Sequence, residues 1–310
     1  MISRSTLIAA LVVVELAIVG LAGSAIGAGH MIAGPAPFAF TAPVGSVPNV
    51  AGVRLNRTFV TGPVPRVQID VPDVSVTVES GPALSVRVEE SVALHGLITG
   101  RPAPLAAVQT PEGVRIYATG ENGVHFMLGT ESHTLRVVVP PAARVELATR
   151  GSIDVSGLRA KLIAHTSDGW LHVRDHQGDL DVSTDDGRIE LVDVSGSAID
   201  AIDHDGRIYL TRVGADRLVA HSDSGRIVGT GVRAVDGGLT TLDGRIVVSF
   251  TTTSNATAVV HTDDGAIRVS GFTSLDTGTN RRTVTLGDGR GHFEISTADG
   301  PITITQGANG

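Results

Sequence analysis

The chain contains no cysteine among its 310 residues. This absence excludes a disulfide framework, a zinc–cysteine site and a thiol nucleophile. Aromatic residues make up only 3% of the sequence, with one Trp and two Tyr, so a buried core must be built from Val, Ile, Leu and Ala. The same scarcity leaves no aromatic platform of the kind on which polysaccharide-cleaving enzymes hold their substrate.

Positive charge is also scarce. The sequence has 24 Lys and Arg but 32 Asp and Glu, which gives a net charge of -8. Proteins that bind nucleic acid need a basic face for the phosphates, so this balance argues against that class. It also gives no reason to expect adsorption to anionic lipid. Glycine, in contrast, is abundant at 38 residues without a collagen-like period. Together with many Val, Ile and Thr, it predicts short strands joined by tight turns.

An apolar segment near the N-terminus, residues 7–28, carries a single charge at Glu15. A helix of this length roughly matches the ~30 Å hydrocarbon core of a bilayer. Arg4 precedes the segment and the next arginine is Arg54, which favours the N-terminus inside and the body of the chain outside the cell membrane. We predict a single-pass anchor in residues 1–30. Secretion after cleavage at the small residues 23–27 is the alternative.

The rest of the chain divides by composition. Residues 31–54 are rich in Pro, Gly and Ala and predict a linker, and residues 307–310 form a tail. Between them, residues 55–306 are expected to form one β domain. It comprises irregular lead-in strands over 55–148 and regular repeats over 149–306, with closing strands at 283–289 and 293–295.

A repeated unit fixes the fold class. Most copies have Thr or Ser, two further residues, Gly, and then aliphatic residues two and four positions after the glycine, as in 166–173 and 184–191; the first copy is shortened, and the copy at Gly206 begins with Asp203. The turn glycines are Gly151, Gly169, Gly187, Gly206, Gly225, Gly244, Gly265 and Gly300. The first seven are spaced by 18, 18, 19, 19, 19 and 21 residues. This spacing predicts an all-β fold, a β-solenoid with coils of roughly 18–19 residues, preceded by the one N-terminal transmembrane or signal helix.

Alternation within each coil predicts its geometry, since neighbouring side chains of a strand point to opposite faces. Leu171 and Val173 follow one turn glycine, and Leu180 and Val182 precede the next. We expect all such positions to face one interior that stacked coils share, in about eight coils of roughly 40 Å. The Asp-Gly turns suggest that each glycine adopts a positive φ, which glycine does at no steric cost.

These residues also resemble a known family. The stretches 135–140 and 144–158, the Thr-x-Asp-Gly repeats and the closing residues 286–289 look like the bacterial "putative adhesin" family of β-strand-repeat domains, over roughly 67–306. The resemblance implies a β-solenoid behind a membrane segment, with an adhesive or envelope role. It brings no catalytic residues.

One candidate ligand site is a set of arginines that each directly follow a turn glycine: Arg188, Arg207, Arg226 and Arg245. Stacked guanidinium groups suit an anionic polymer of the cell wall. The alternative is that they neutralise the turn aspartates Asp168, Asp186, Asp205, Asp243, Asp264 and Asp299. Those aspartates are in turn candidates for calcium or, more simply, for turn formation. Trp170 occupies an outward position that suits a ligand contact or a cap.

Other side chains carry weaker hypotheses. His165, His221 and His261 fall in non-adjacent coils, too far apart to share a metal. The pairs Asp185 with Asp186 and Asp203 with Asp205 suggest an acid and a base, but each aspartate belongs to a repeated turn. We therefore expect no enzyme activity, no cofactor and no metal. The leading hypothesis is a non-catalytic structural or adhesion protein of the cell envelope. An accessory of envelope sensing that acts through a membrane partner is the alternative, and a polyanion- or glycan-binding module is the third.

Overall fold

The computed structural model describes residues 50–99, 102–120, 126–278 and 280–307. The predicted anchor in residues 7–28 lies outside these residues and stays a prediction. Within the described ranges the chain is all β, and no helix is both long and apolar enough to cross a membrane. The strands are β1 Val50–Val60, β2 Arg66–Asp70, β3 Ser75–Ser80, β4 Ser85–Thr99, β5 Leu105–Thr110, β6 Gly113–Ala118, β7 Phe126–Val139, β8 Arg144–Thr149, β9 Ile153–Ser156, β10 Leu162–Thr166, β11 Trp170–Gln177, β12 Leu180–Thr184, β13 Arg188–Asp203, β14 Arg207–Ser222, β15 Ile227–Val232, β16 Asp236–Asp243, β17 Ile246–Phe250, β18 Ala256–Asp264, β19 Ile267–Ser270, β20 Thr273–Gly278, β21 Arg281–Leu286, β22 Gly291–Asp299 and β23 Ile302–Gln306.

The strands form two parallel stacks, and the chain alternates between them at every turn. The first stack runs β6, β2, β8, β10, β12, the second halves of β13 and β14, then β16, β22 and β18. The second stack runs β7, β3, β9, β11, the first halves of β13 and β14, then β15, β17, β23 and β19. The described residues thus make ten two-strand layers, which at about 4.8 Å per step extend about 43 Å. The fold is β-solenoid-like, as predicted.

The core lies between the two stacks and follows the predicted alternation. Leu171 and Val173 in the second stack are fully buried, as are Leu180 and Val182 in the first, within 2% exposure. The lead-in strands show the same alternation of buried and exposed side chains, since Val67 and the alternating residues that follow it belong to the same buried cluster. A single coil cannot bury its apolar face alone, because that face is covered only when neighbouring coils stack on it. The contacts between stacked coils are therefore the main source of stability.

The order of coils departs from the order of the sequence at both ends. At the start, β2 and β3 lie between the later β6/β7 layer and β8/β9. At the far end, β22 and β23 are inserted between β16/β17 and β18/β19. The expectation that residues 293–295 close the far end is therefore wrong. The hairpin of β20 and β21 reverses the chain after β19, and this reversal lets the last strands turn back into the stack.

Antiparallel strands cover most of the terminal edges. β5 pairs with β6 at one end of the first stack, and β4, itself paired with β1, covers β7 in the second stack. At the other end β21 pairs with β18, and β20 pairs with β21. Such pairing occupies hydrogen-bonding groups that would otherwise be free to template association with other chains.

Candidate functional site

The turn glycines form a continuous ladder for a reason other than the predicted one. Only Gly300 among the eight has a φ in the left-handed range, at 153°, so the positive-φ explanation is wrong for the other seven. A Cβ on Gly206 would instead lie within 3.0 Å of the carbonyl oxygen of Gly187 in the preceding coil. The same clash recurs from each turn glycine to the next through Gly244, Gly300 and Gly265. Glycine is required here because the turns stack too closely for any side chain.

A second ladder of buried hydroxyls lies three residues before most of these glycines, and two before the first. Its members are Thr149, Thr166, Thr184, Ser222, Thr241, Thr297 and Thr262. The Thr166 hydroxyl donates to the Gly151 carbonyl at 2.6 Å, and the Thr241 hydroxyl donates to the Gly225 carbonyl at 3.0 Å. We call this set the hydroxyl ladder. It ties each coil to the next inside the core, where an unpaired carbonyl would be costly.

In one coil, Asp203 takes the place of the hydroxyl residue and breaks the pattern. Its side chain is fully buried between Thr184 and Ser222 of the neighbouring coils. Among the described residues, neither carboxyl oxygen has a hydrogen-bond partner of good geometry, although the nearby backbone of Arg207 favours the ionised form. An ionised carboxylate only accepts hydrogen bonds, so it cannot replace the hydroxyl that donates to the carbonyl of the preceding coil. Burial therefore raises the pKa of Asp203 to about 7, with nearby His204 opposing the effect and Asp205 adding to it.

The four candidate arginines lie in one straight line on the outer face of the second stack. Arg188 is in register with Arg207, and each later arginine directly precedes an isoleucine that is itself in register from strand to strand. All four are exposed. We call Arg188, Arg207, Arg226 and Arg245 the arginine row. At about 4.8 Å per strand, it spans about 14 Å along the stack.

The arginine row is largely free of neutralising partners. Arg188 lies 3.8 Å from Glu190, at the outer limit of an ion pair. Within the part of the chain that the structure describes, no carboxylate comes within ion-pair distance of Arg207, Arg226 or Arg245. The alternative that these side chains neutralise the turn aspartates is thus not supported by direct contacts. The guanidinium groups are available to a ligand.

Trp170 extends the arginine row at its upstream end. It is in register with Arg188 and is 43% exposed. A shallow groove of about 450 Å³ joins Trp170, Arg188 and Arg207 to the turn carboxylates of Asp168 and Asp205. The groove therefore combines an aromatic face, two cations and two hydrogen-bond acceptors.

Comparison with known protein families agrees with the solenoid and its repeats. The family model described as Toastrack DUF4097 matches residues 64–305. The chain belongs to the Toastrack DUF4097 family. The resemblance predicted from residues 67–306 is thereby confirmed. A search of curated proteins finds no match.

Solved structures similar to this Toastrack chain come from several bacteria. A putative adhesin from Parabacteroides merdae is 11% identical, with a TM-score of 0.47, over 83% of this chain and 94% of that one. A putative adhesin from Bacteroides fragilis is 11% identical, with a TM-score of 0.41, over 82% and 97%. A putative cell adhesion protein from Clostridium sporogenes is 11% identical, with a TM-score of 0.32, over 81% and 99%.

The remaining candidates do not converge on a catalytic or metal centre in this Toastrack domain. Asp203 is buried while Asp205 is exposed, so these two carboxylates do not flank a common substrate position. His165 and His221 lie three strands apart, about 14 Å, and bond separately to Ser183 and Asp223. Among the described residues, no group of three or more His, Asp or Glu side chains is arranged to hold a metal ion.

Proposed function

We propose that this Toastrack protein is a non-catalytic adhesion-type protein of the cell envelope, and that its arginine row binds an acidic glycan lying along the stack. The observation that carries the proposal is the row itself: four exposed guanidinium groups in register, three of them without an ion pair to any residue that the structure describes. Arginine presents a planar fork of donors that matches a carboxylate or phosphate, and a repeating row suits a repeating anion.

The groove at Trp170 favours a glycan over a simple polyanion. Asp168 and Asp205 line the same groove as Arg188 and Arg207. A bare polyphosphate would be repelled by these carboxylates, whereas sugar hydroxyls would donate hydrogen bonds to them. The exposed ring of Trp170 offers an apolar face against which a sugar ring can pack. Acidic groups and hydroxyls on one polymer would satisfy both kinds of side chain.

The experiment is binding of the full-length protein to purified acidic wall polymer. The double variant Arg207→Ala/Arg226→Ala removes the centre of the arginine row, and we expect it to lose most of the binding. The double variant Arg281→Ala/Arg290→Ala changes the net charge equally at exposed arginines outside the row. It should bind as the wild type does. Equal binding by all three proteins would refute the role of the row.

The location is proposed from the apolar segment 7–28 and the flanking arginines. We place the protein in the cell membrane as a single-pass protein with the bulk of the chain extracytoplasmic. Protease treatment of intact cells should remove a C-terminal tag, while the anchor resists alkaline extraction. A tag that stays protected after removal of any outer wall would place the solenoid in the cytoplasm and overturn the envelope role.

A further inference from the structure

A large cleft lies at the N-terminal end of the first stack, away from the arginine row. It encloses about 960 Å³, within the range of pockets that bind small organic molecules. Residues 60–66 and 109–113 form its two walls, and β8 and β10 contribute the floor through residues 144–146, 161 and 163. We call it the cationic cleft.

The walls of the cationic cleft are tied to each other and to the floor. The Gln109 side chain donates to the Val60 carbonyl at 2.9 Å and thereby links the two walls. Arg66 pairs with Glu112 of one wall at 3.3 Å and with both carboxylate oxygens of Glu146 on the floor at 2.8 and 2.9 Å. Prolines 63, 65 and 111 further restrict the wall backbone. A cleft held in this way is preformed, which lowers the entropic cost of binding.

Two cations on the floor have no such partners. Arg144 lies on β8 in register with Arg66, and Lys161 directly precedes the residue of β10 that pairs with Val145. Both side chains are exposed. Among the described residues, no carboxylate comes within ion-pair distance of either one. Arg66 offsets one of the two negative charges of Glu112 and Glu146, so the five charged side chains that line the cleft sum to +1, in a chain whose net charge is -8.

The charge and the lining together define a ligand class. Arg144 and Lys161, on adjacent strands about 4.8 Å apart and without an ion pair among the described residues, present two sets of hydrogen-bond donors to one anion. A phosphate monoester offers three strong acceptor oxygens together with its negative charge, whereas a single carboxylate offers two. Val60, Val64 and the wall prolines provide an apolar rim for the organic part of the ester. We propose that the cationic cleft binds a phosphate monoester, with its phosphate between Arg144 and Lys161.

The sequence offers a direct probe, because Lys161 is its only lysine. The full-length protein is treated with an amine-acylating reagent, and modification of Lys161 is followed by peptide mass spectrometry, with the N-terminal amine as the internal reference. Glycerol 3-phosphate at ten times its dissociation constant should slow acylation of Lys161 about tenfold. Glycerol and sodium chloride at matched ionic strength should not.

Variants and a second ligand make the outcome decisive. Arg144→Gln should lose the protection, while Arg290→Gln, an exposed arginine outside the cleft, should keep it. The double variant Arg207→Ala/Arg226→Ala should also keep it, so that failure of this site is distinguishable from failure of the arginine row. Vesicles containing phosphatidic acid, compared with phosphatidylcholine, separate a lipid headgroup from a soluble ester. Protection by neither phosphate source, or equal protection by acetate, would overturn the proposal.

Discussion

Replacing Asp203 by threonine should stabilise the protein, and the gain should depend on pH. The buried carboxyl stands in the hydroxyl ladder, where seven other coils have Thr or Ser. A threonine hydroxyl at this position can donate to the Gly187 carbonyl, as Thr241 does to Gly225. The ionised aspartate offers only acceptors and is buried without a well-placed donor among the described residues. The substitution therefore removes an unpaired buried charge and restores a hydrogen bond.

The magnitude follows from the pKa of Asp203. Burial raises it to about 7, against an ordinary value of 3.8, and His204, Asp205 and Asp186 are the charged groups that modulate it. Between pH 4 and 7 the folded state holds a proton that the unfolded chain has released, so stability falls as the pH rises through this window. At about 1.4 kcal/mol per pH unit, the ionised form costs about 4 kcal/mol once the pH exceeds 7. Asp203→Thr should thus raise the free energy of unfolding by about 3–5 kcal/mol at pH 8.5, and by less than about 1 kcal/mol at pH 4.

The assay is urea denaturation followed by circular dichroism, at several pH values from 4 to 8.5. Carboxylates with lowered pKa values, such as Glu146 beside Arg66 and Asp193 beside Arg212, contribute equally to both proteins and cancel in the difference. Thr184→Asp is the matched control, because it places a second carboxyl on the adjacent rung. It should add a pH dependence of the same sign. Identical pH profiles for the wild type and Asp203→Thr would refute the reasoning.

Two further predictions test the core. Gly206→Ala should destabilise the fold by about 1–3 kcal/mol or more, because its Cβ would meet the Gly187 carbonyl and the Asp203 carboxyl. Gly120→Ala, which meets nothing within 4 Å, should change stability by less than about 0.5 kcal/mol, and equal effects would contradict the stacking explanation. His176 is fully buried, and this burial lowers the pKa of its imidazole. The nearby backbone of Asp179 and Gly178 acts in the opposite direction but does not reverse the shift. The unfolded chain therefore binds more protons below about pH 6.5, so His176→Leu should raise the urea midpoint more at pH 5 than at pH 8. The same shift at both pH values would show that the histidine does not titrate on unfolding.

Much of the solenoid could be predicted because its signals are local. The period-two alternation around Leu171 and Val173 gives the buried face, and the glycine spacing gives the coil length. The exposure of the arginine row follows from the same alternation. The order of the coils could not be predicted, since β22 and β23 carry the same motif as their neighbours. A repeat shows that a strand belongs in the stack, but it does not show between which two coils it lies.

Other features required the register between strands. The turn glycines were identified, but their reason is the contact between successive coils, which dipeptide preferences do not contain. The repeat predicts Asp203 as part of a turn. Its alignment with Thr166 and Thr184, three residues before the glycine, was nevertheless a signal in the sequence. The cationic cleft could not be found in this way, because its walls come from strands of the lead-in region whose neighbours are distant in sequence.

Binding of an acidic glycan by the arginine row is tested most directly by titrating the full-length protein with a short oligogalacturonate at several salt concentrations. Contacts from the row release counterions, so the dissociation constant should rise steeply with salt, and the slope should fall by about two in Arg207→Ala/Arg226→Ala. The methyl-esterified oligomer, which keeps the hydroxyls but not the charge, should bind far more weakly. Binding that is insensitive to salt, or equal for the wild type and the double variant, would contradict the proposed function.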